Sequence, residues 1–412
     1  MTTSSAGLLR AIYPRVLART LGVTRSLPEA EDAVQEAVVR ALSVWPERGL
    51  PAAPEAWLTK VATRVHLDRA RKARRSASAE PAALETLAAM SPWIQSAVAA
   101  PDVARGFKDE LLRLVFACCH PSLEPGEAAG LCLATVVGLS LHEIAAAFTV
   151  ELRTMEQRLT RARRRLRERG DLDHRTPEQS REHLPAVLMV VHLLFNEGYW
   201  STQGDTPIVA ELCRLAIGLG HALVALFPEE HDALALLALM LLHDARRPAR
   251  LDEQGRAVKL PDQDRGRWDR DAIALGERFL ARAGATGRGA YYLEASIAAC
   301  HTRAASAPAT DWPQIAALYA ALELERPTPA VRVNRAFAVG RAEGAAAGLA
   351  LLEALDGDSY PYVDLVRGHL AREAGDHATA RRHLRAAADR ARNRAEREDI
   401  ERQLARLEEP RP

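Results

Sequence analysis

Two stretches of this chain concentrate cations on helical patterns. From Lys60 to Arg75 there are seven Lys and Arg residues against one acid, Asp68. A second, Arg-rich run extends to Arg169. Rows of ammonium and guanidinium groups neutralise phosphates, so a nucleic-acid backbone is the polyanion they suit. Arg and Gln also match the hydrogen-bonding edges of bases in a major groove. Neither an HExxH pair, nor a Gly-rich phosphate loop, nor a nucleophile elbow occurs. The chemistry to expect is therefore recognition, not catalysis.

Helical spacing must place these cations. In the segment 54–75, Leu58, Val61, Ala62 and Val65 form an apolar stripe, while Lys60, Arg64, Arg71 and Arg75 share another face. That basic stripe suits single-stranded or melted DNA, with Trp57 nearby as a base-stacking surface or, more commonly for Trp, a core residue. The preceding segment 30–45 has Val34, Val38, Ala41 and Trp45 on its apolar side, and Asp32, Gln35, Glu36 and Arg40 outside it. A merely solvated polar face is the plain alternative for both.

The second run has more context. Leu141, Ile144, Ala145 and Phe148 make the apolar face of a short helix, Thr149-Val150 permits a tight turn, and a longer helix starts near Leu152. This is a helix-turn-helix layout. In the longer helix Met155, Leu159, Ala162 and Leu166 fall in one narrow stripe. Its N-terminal part should enter the groove, so Arg153, Thr154, Gln157 and Arg158 are the base-reading candidates. Arg161 and Arg164 suit phosphates.

The rest of the chain sets bounds. At 412 residues, two or three domains are expected. Ala, Leu and Arg are abundant and only 5% of residues are aromatic, which favours helix. Net charge is +1, so local patches matter more than the sum. Cys118, Cys119, Cys132, Cys213 and Cys300 are odd in number and form no CxxC pair, which suits reduced thiols in the cytoplasm. Cys118-Cys119-His120 lacks a second ligand pair at zinc spacing, and no metal or cofactor is expected. No signal-peptide pattern opens the chain. The longest apolar run, Ala233 to Leu242, is about half a membrane span and suits a buried core helix.

The pattern divides into residues 1–75, a linker at 76–108, residues 109–175, and an all-helical region from 180 to 412. In that last region Ala336, Leu352 and Leu355, then Gly368, Ala380, Leu384 and Ala387, repeat at nearly the spacing of tetratricopeptide hairpins, with Gly375 at a turn.

The ordered pair of basic motifs resembles the extracytoplasmic-function RNA polymerase sigma factors. Ala30 to Glu36 looks like the region-two helix that docks on the polymerase clamp. Ala56 to Arg71 looks like the helix that melts and reads the minus-ten element. Leu139 to Arg165 looks like region four, which reads the minus-thirty-five element and meets the flap. The resemblance implies an all-α protein, with Asp32, Gln35, Glu36 and Arg40 facing core polymerase and the basic residues facing promoter DNA. Glu151 stands where the family commonly has a capping Ser, and His66 where it has an Asn-like residue. Four further segments, 196–199, 241–247, 262–265 and 311–315, resemble a subgroup with a long tetratricopeptide-like extension. There the extension tunes activity in place of a separate anti-sigma protein; in this chain it is expected to contact regions two and four or an unknown regulator.

Three other readings compete. A helix-turn-helix regulator with a helical sensor domain leaves residues 30–75 without a task. An enzyme built on His192, Glu197, His243, Asp244 and Asp264 lacks any catalytic motif. A pure scaffold leaves both basic helices unexplained.

Overall fold

Ala, Leu and Arg lose least on entering a helix, and the fold follows that composition. The computed structural model describes residues 5–76, 111–112, 114–119, 122–137, 139–148, 150–169, 181–199, 210–355, 360, 362–391 and 394–408. Among them the regular structure is helical, with one isolated antiparallel bridge between Leu251 and Ala257. The protein is all-α, as expected. Apart from Ser76, the linker expected at 76–108 lies outside the described residues. The chain divides into two compact units, residues 1–194 and 195–412.

In the first unit, α1 (Ser5–Thr24), α2 (Leu27–Arg48) and α3 (Pro54–Ser76) pack on one another. Ser26 is extended before α2 and Pro28 occupies its first turn, where a missing N–H costs nothing. Gly49 ends α2 at φ +80, a left-handed conformation that favours glycine, and its N–H returns to Trp45 O. Leu27, Ala30, Ala33, Val34, Ala37, Ala41 and Trp45 are buried, so the small side chains let α1 and α3 approach closely. Trp57 meets Trp45 edge to face at 5.6 Å and therefore packs against the helix core.

Further along the same unit, α4 (Pro125–Cys132) runs into a π-turn (Leu133–Val137), then α5 (Leu141–Ala147) and α6 (Leu152–Arg169). The connection between α5 and α6 is tight. Phe148 N–H donates to Ile144 O at 3.1 Å and Val150 N–H to Ala145 O at 3.0 Å. Glu151 O then accepts from Met155 N–H at 3.1 Å, which opens α6. The expected stripe of Met155, Leu159, Ala162 and Leu166 is buried. Each buried Leu contributes roughly 1.5–3 kcal/mol. Gly130 of α4 faces this stripe. A Cβ there would lie 3.2 Å from Met155 Sδ and 3.3 Å from Leu159 Cδ2. Cys118, Cys119 and Cys132 are buried too. Burial, then the adjacent Cys118 thiol, pushes the Cys119 thiol well above its ordinary range.

The division between the units falls within α7 (Leu184–Tyr199). The second unit continues with α8 (Ala210–Leu226), α9 (His231–Asp244), α10 (Arg270–Thr286) and α11 (Ala290–Arg303). Every residue from Ala233 to Leu242 in α9 is buried, as its apolar run foretold. A helix apolar all round must be surrounded, and α8, α10 and α11 pack against it. Then come α12 (Trp312–Glu325), α13 (Pro329–Glu343), α14 (Ala345–Leu352), α15 (Val363–Glu373), α16 (His377–Asp389) and α17 (Arg394–Glu408). Each packs mainly on its neighbours in sequence. Asp269, Asp311, Thr328 and Asp376 cap α10, α12, α13 and α16 through side-chain oxygens that accept backbone N–H groups. Such caps stabilise a helix by about 1 kcal/mol each. Ala336, Leu352, Leu355, Gly368, Ala380, Leu384 and Ala387 all lie in the buried interfaces.

Two outcomes follow from this packing. Gly130→Val should force α4 off α6 and destabilise the protein by about 1–3 kcal/mol; an unchanged denaturant midpoint would mean that the helices have room. The second concerns His301, whose ring lies 5.6 Å from that of Trp312. Burial, then Arg246 and Arg265, pushes its imidazole pKa down to about 4. The unfolded chain takes up this proton below about pH 6.5 while the folded one resists until about 4, so stability is lost as pH falls through that window. At about pH 5 the loss amounts to roughly 2 kcal/mol. His301→Gln should flatten that dependence in urea melts near pH 7 and near pH 5; an unaltered dependence would exclude His301 as its source.

Candidate nucleic-acid interface

The outer face of α2 carries the four polar residues singled out in sequence. Asp32, Gln35 and Arg40 are exposed and Glu36 is half-buried. Gln35 Nε2 donates to Tyr13 Oη at 3.3 Å. Burial, then Glu31, pushes the Tyr13 hydroxyl up to about 12. Glu36 accepts from Arg40 at 2.5 Å and from Arg69 of α3 at 2.7 Å. Burial alone would raise the Glu36 carboxyl, but the hydrogen bonds from Arg40 and Arg69 outweigh it and hold the group below its ordinary value.

On α3 the apolar stripe turns inward, with Leu58, Ala62 and Val65 buried. Lys60 and Arg64 point outward. Arg64 is 80% exposed and lies 3.9 Å from Asp68. His66 is largely buried, with Nδ1 3.3 Å from Glu29. The backbone of α3 includes Arg71 and Arg75, but their side chains lie outside the described residues.

The first turns of α6 present Arg153, Thr154 and Gln157 as exposed side chains, with Arg158 half-buried beside them. Toward the other end the cations are partly engaged. Arg161 Nε lies 3.4 Å from Glu127 Oε1, and Arg165 Nη1 lies 2.6 Å from Glu127 Oε2. The Glu127 side chain is only 6% exposed and also accepts from Glu124 N–H at 3.4 Å. Arg164 is 69% exposed and sits 3.5 Å from Glu168.

A further contact joins the two helical groups of this unit. Thr135 Oγ1, in the π-turn, donates to Glu31 Oε1 at 3.0 Å, and Arg163 Nε lies 3.9 Å from Glu31 Oε2. Sequence reasoning missed Glu31, Glu127, Thr135, Arg163 and Arg165. No local pattern marks them, because their partners lie 34 residues away or more.

The acidic and histidine residues of the enzyme reading serve local structure. Asp244 accepts from Arg247 at 2.8 Å, Asp264 accepts from Gly266 N–H at 2.8 Å, and His243 Nδ1 lies 2.8 Å from Arg246. Glu197 is buried and His192 half-buried. Among the described residues no group of three or more His, Cys, Asp or Glu side chains is placed to hold a metal ion. No described helix is long and apolar enough to cross a membrane.

Comparison with known proteins fits this geometry. Residues 8–76, which hold nearly all of α1 to α3, match sigma-70 region 2. Residues 183–284 match a family of unknown function, DUF6596. The uncharacterised protein R00370 of Rhizobium meliloti (strain 1021) is 39% identical over 373 residues, covering 89% of this chain and 87% of that protein. No solved structure matches. The chain belongs to the family of that rhizobial protein and carries sigma-70 region 2 at residues 8–76, which supports a role in transcription initiation.

Proposed function

We propose that this is a sigma factor of the extracytoplasmic-function type with a tetratricopeptide-like regulatory extension. Residues 1–75 dock on the clamp of core RNA polymerase through Asp32, Gln35, Glu36 and Arg40. Lys60, Arg64, Arg71 and Arg75 hold the opened minus-ten element. Residues 76–108 are the linker. Residues 109–175 meet the flap and read the minus-thirty-five element through Arg153, Thr154, Gln157 and Arg158, with Arg161 and Arg164 on phosphates. Residues 180–412 tune the output, through regions two and four or through a separate regulator. The protein works in the cytoplasm, without a cofactor, and polymerase supplies all covalent chemistry.

The observation that carries this reading is the division of α6. Met155, Leu159, Ala162 and Leu166 are buried on one side, while Arg153, Thr154 and Gln157 are exposed at the end that follows the tight α5–α6 turn. A helix so placed can enter a major groove by its first turns. An ordinary helix-turn-helix regulator would share that feature, but it has no use for sigma-70 region 2 at residues 8–76.

Binding of the holoenzyme to promoter fragments tests the assignment. Lys60→Ala and Arg64→Ala should each lower the slope of log K against log salt by about 1, uniformly across sequences. Arg153→Ala and Gln157→Ala should instead cost about 1–3 kcal/mol on the preferred sequence and level the preference. Arg161→Ala should lower the salt slope and the unfolding midpoint together, because Arg161 also meets Glu127. Unchanged slopes in all three cation variants would contradict the DNA-facing assignment.

The extension is tested by truncation. Leu184, Val187, Leu188, Val190, Val191 and Leu194 of α7 are buried, and their helix lies mostly in the first unit. His183 Nδ1 also lies 3.3 Å from Phe116 O. A fragment ending at residue 199 should therefore melt cooperatively, whereas one ending at 179 should lose stability. Transcription by the longer fragment should differ from that of the full chain; equal output would remove the regulatory role.

A further inference from the structure

One cluster in the second unit is unused by the reading above. Tyr199 ends α7, His243 and Arg246 lie at the end of α9, and Arg265 opens a 3-10 turn (Arg265–Arg267) just before Trp268. Backbone hydrogen bonds tie these segments together. Asp269 N–H donates to Ala245 O at 2.9 Å, and Val258 N–H to Arg250 O at 2.8 Å. Three of the segments singled out in the sequence, 196–199, 241–247 and 262–265, thus supply residues to one place.

Arg246 lies at the bottom of the cluster, 7% exposed. Its Nη2 donates to Tyr199 Oη at 2.8 Å and lies 2.8 Å from His243 Nδ1. Its Nε is buried with no acceptor. Arg265 is half-exposed above it. Arg265 Nη1 donates to the carbonyls of His301 and Ala304 at 2.7 and 2.8 Å, and the guanidinium lies 4.5 Å over the Trp268 ring. Trp268 is 3% exposed, and its Nε1 is another buried donor without an acceptor. The hydrogen bonds of Arg246 and Arg265 among the described residues go to Tyr199, His243, His301 and Ala304, and none of these partners is a carboxylate. Asp244 pairs with Arg247, Asp252 with Arg256, and Asp264 accepts from Gly266 N–H.

This arrangement is unbalanced in one direction. Donors and positive charge converge, while Gln263 Oε1, a buried acceptor without a donor, carries no charge to match them. A buried guanidinium without a counter-charge costs several kcal/mol, and buried polar groups are ordinarily satisfied. The group that would balance the cluster must bring negative charge and several acceptors. Planar guanidinium forks are matched in geometry to phosphate and carboxylate. Burial and the proximity of Arg246 both lower the Arg265 guanidinium, which an anion between the two would offset. At 7% exposure Arg246 suits a small anion better than a nucleic-acid backbone.

We infer that Arg246 and Arg265 form a binding site for the oxyanion group, phosphate or carboxylate, of a small molecule. The Tyr199 hydroxyl holds Arg246 and the Trp268 ring underlies Arg265, while the Tyr199 ring itself carries Arg250 at 3.6 Å. The inference stands apart from the sigma reading: a chain without initiation activity would still bind the anion, and a sigma factor need not.

Thermal unfolding of the full chain tests it, with inorganic phosphate and succinate titrated separately against sodium chloride at matched ionic strength. Wild type should show a saturable rise in melting temperature with at least one probe; the responding probe tells a phosphate source from a carboxylate one. Arg246→Gln and Arg265→Gln should weaken the apparent dissociation constant at least roughly tenfold, as expected for loss of hydrogen bonds from a charged group. Arg265 is half-exposed, so its variant keeps the test valid if Arg246→Gln does not fold. Arg256→Gln, on an exposed turn, should respond as wild type does. No saturable rise with either probe would overturn the inference, as would equal responses in Arg265→Gln and wild type.

Discussion

Glu127 is where the demands on α6 meet. A carboxylate with a side chain 6% exposed must be paired, because an uncompensated buried charge costs several kcal/mol. It takes Arg161 and Arg165 from α6 and the N–H of Glu124 from its own helix start. On the same helix, Gly130 leaves room for Met155 and Leu159. Charge on one turn and apolar contact on the next fix the roll of α6. With that roll fixed, Arg153, Thr154 and Gln157 have nowhere to point but outward. The exposed face proposed to read DNA is thus a consequence of how a buried acid is satisfied.

The first helical group solves a related problem with exposed charges. Glu36 joins α2 to α3 through Arg69 and steadies Arg40 on its own helix. The acid thereby engages two exposed cations, Arg40 and Arg69, while Lys60 and Arg64 are exposed on α3 away from it. Glu31 links this group to the π-turn and α6 through Thr135 and Arg163. It lies beside Asp32 and near Gln35 and Glu36, so the surface assigned to polymerase borders the contact that holds the two groups together. Pairs of this exposure contribute little stability each; their effect is on orientation.

Much of the fold was legible because a 3.6-residue period is a local property. The stripe Met155, Leu159, Ala162 and Leu166 could be read by angle alone, and so could the all-apolar run of α9. What the period could not reveal is which cations are neutralised internally. Arg161 reads as a phosphate contact from its face, yet its partner lies 34 residues away. The π-turn also escaped, since nothing in Leu133–Val137 differs from an ordinary helical run. Residues 109–175 and 180–412 read as separate segments in sequence, and the two compact units divide within α7, whose apolar residues carry no local mark of that division. Likewise, segments 196–199, 241–247 and 262–265 could be noticed in sequence, but their convergence on Arg246 depends on tertiary contacts.

The central claim is that the N-terminal helices make this chain an initiation factor, with recognition surfaces set by buried charge pairing. Run-off transcription with purified core RNA polymerase, on genomic promoter fragments, tests it most directly. The account predicts discrete transcripts from particular fragments when this protein is the sole added factor, and none from core polymerase alone. Transcripts that appear only when a different sigma factor is also supplied would contradict it.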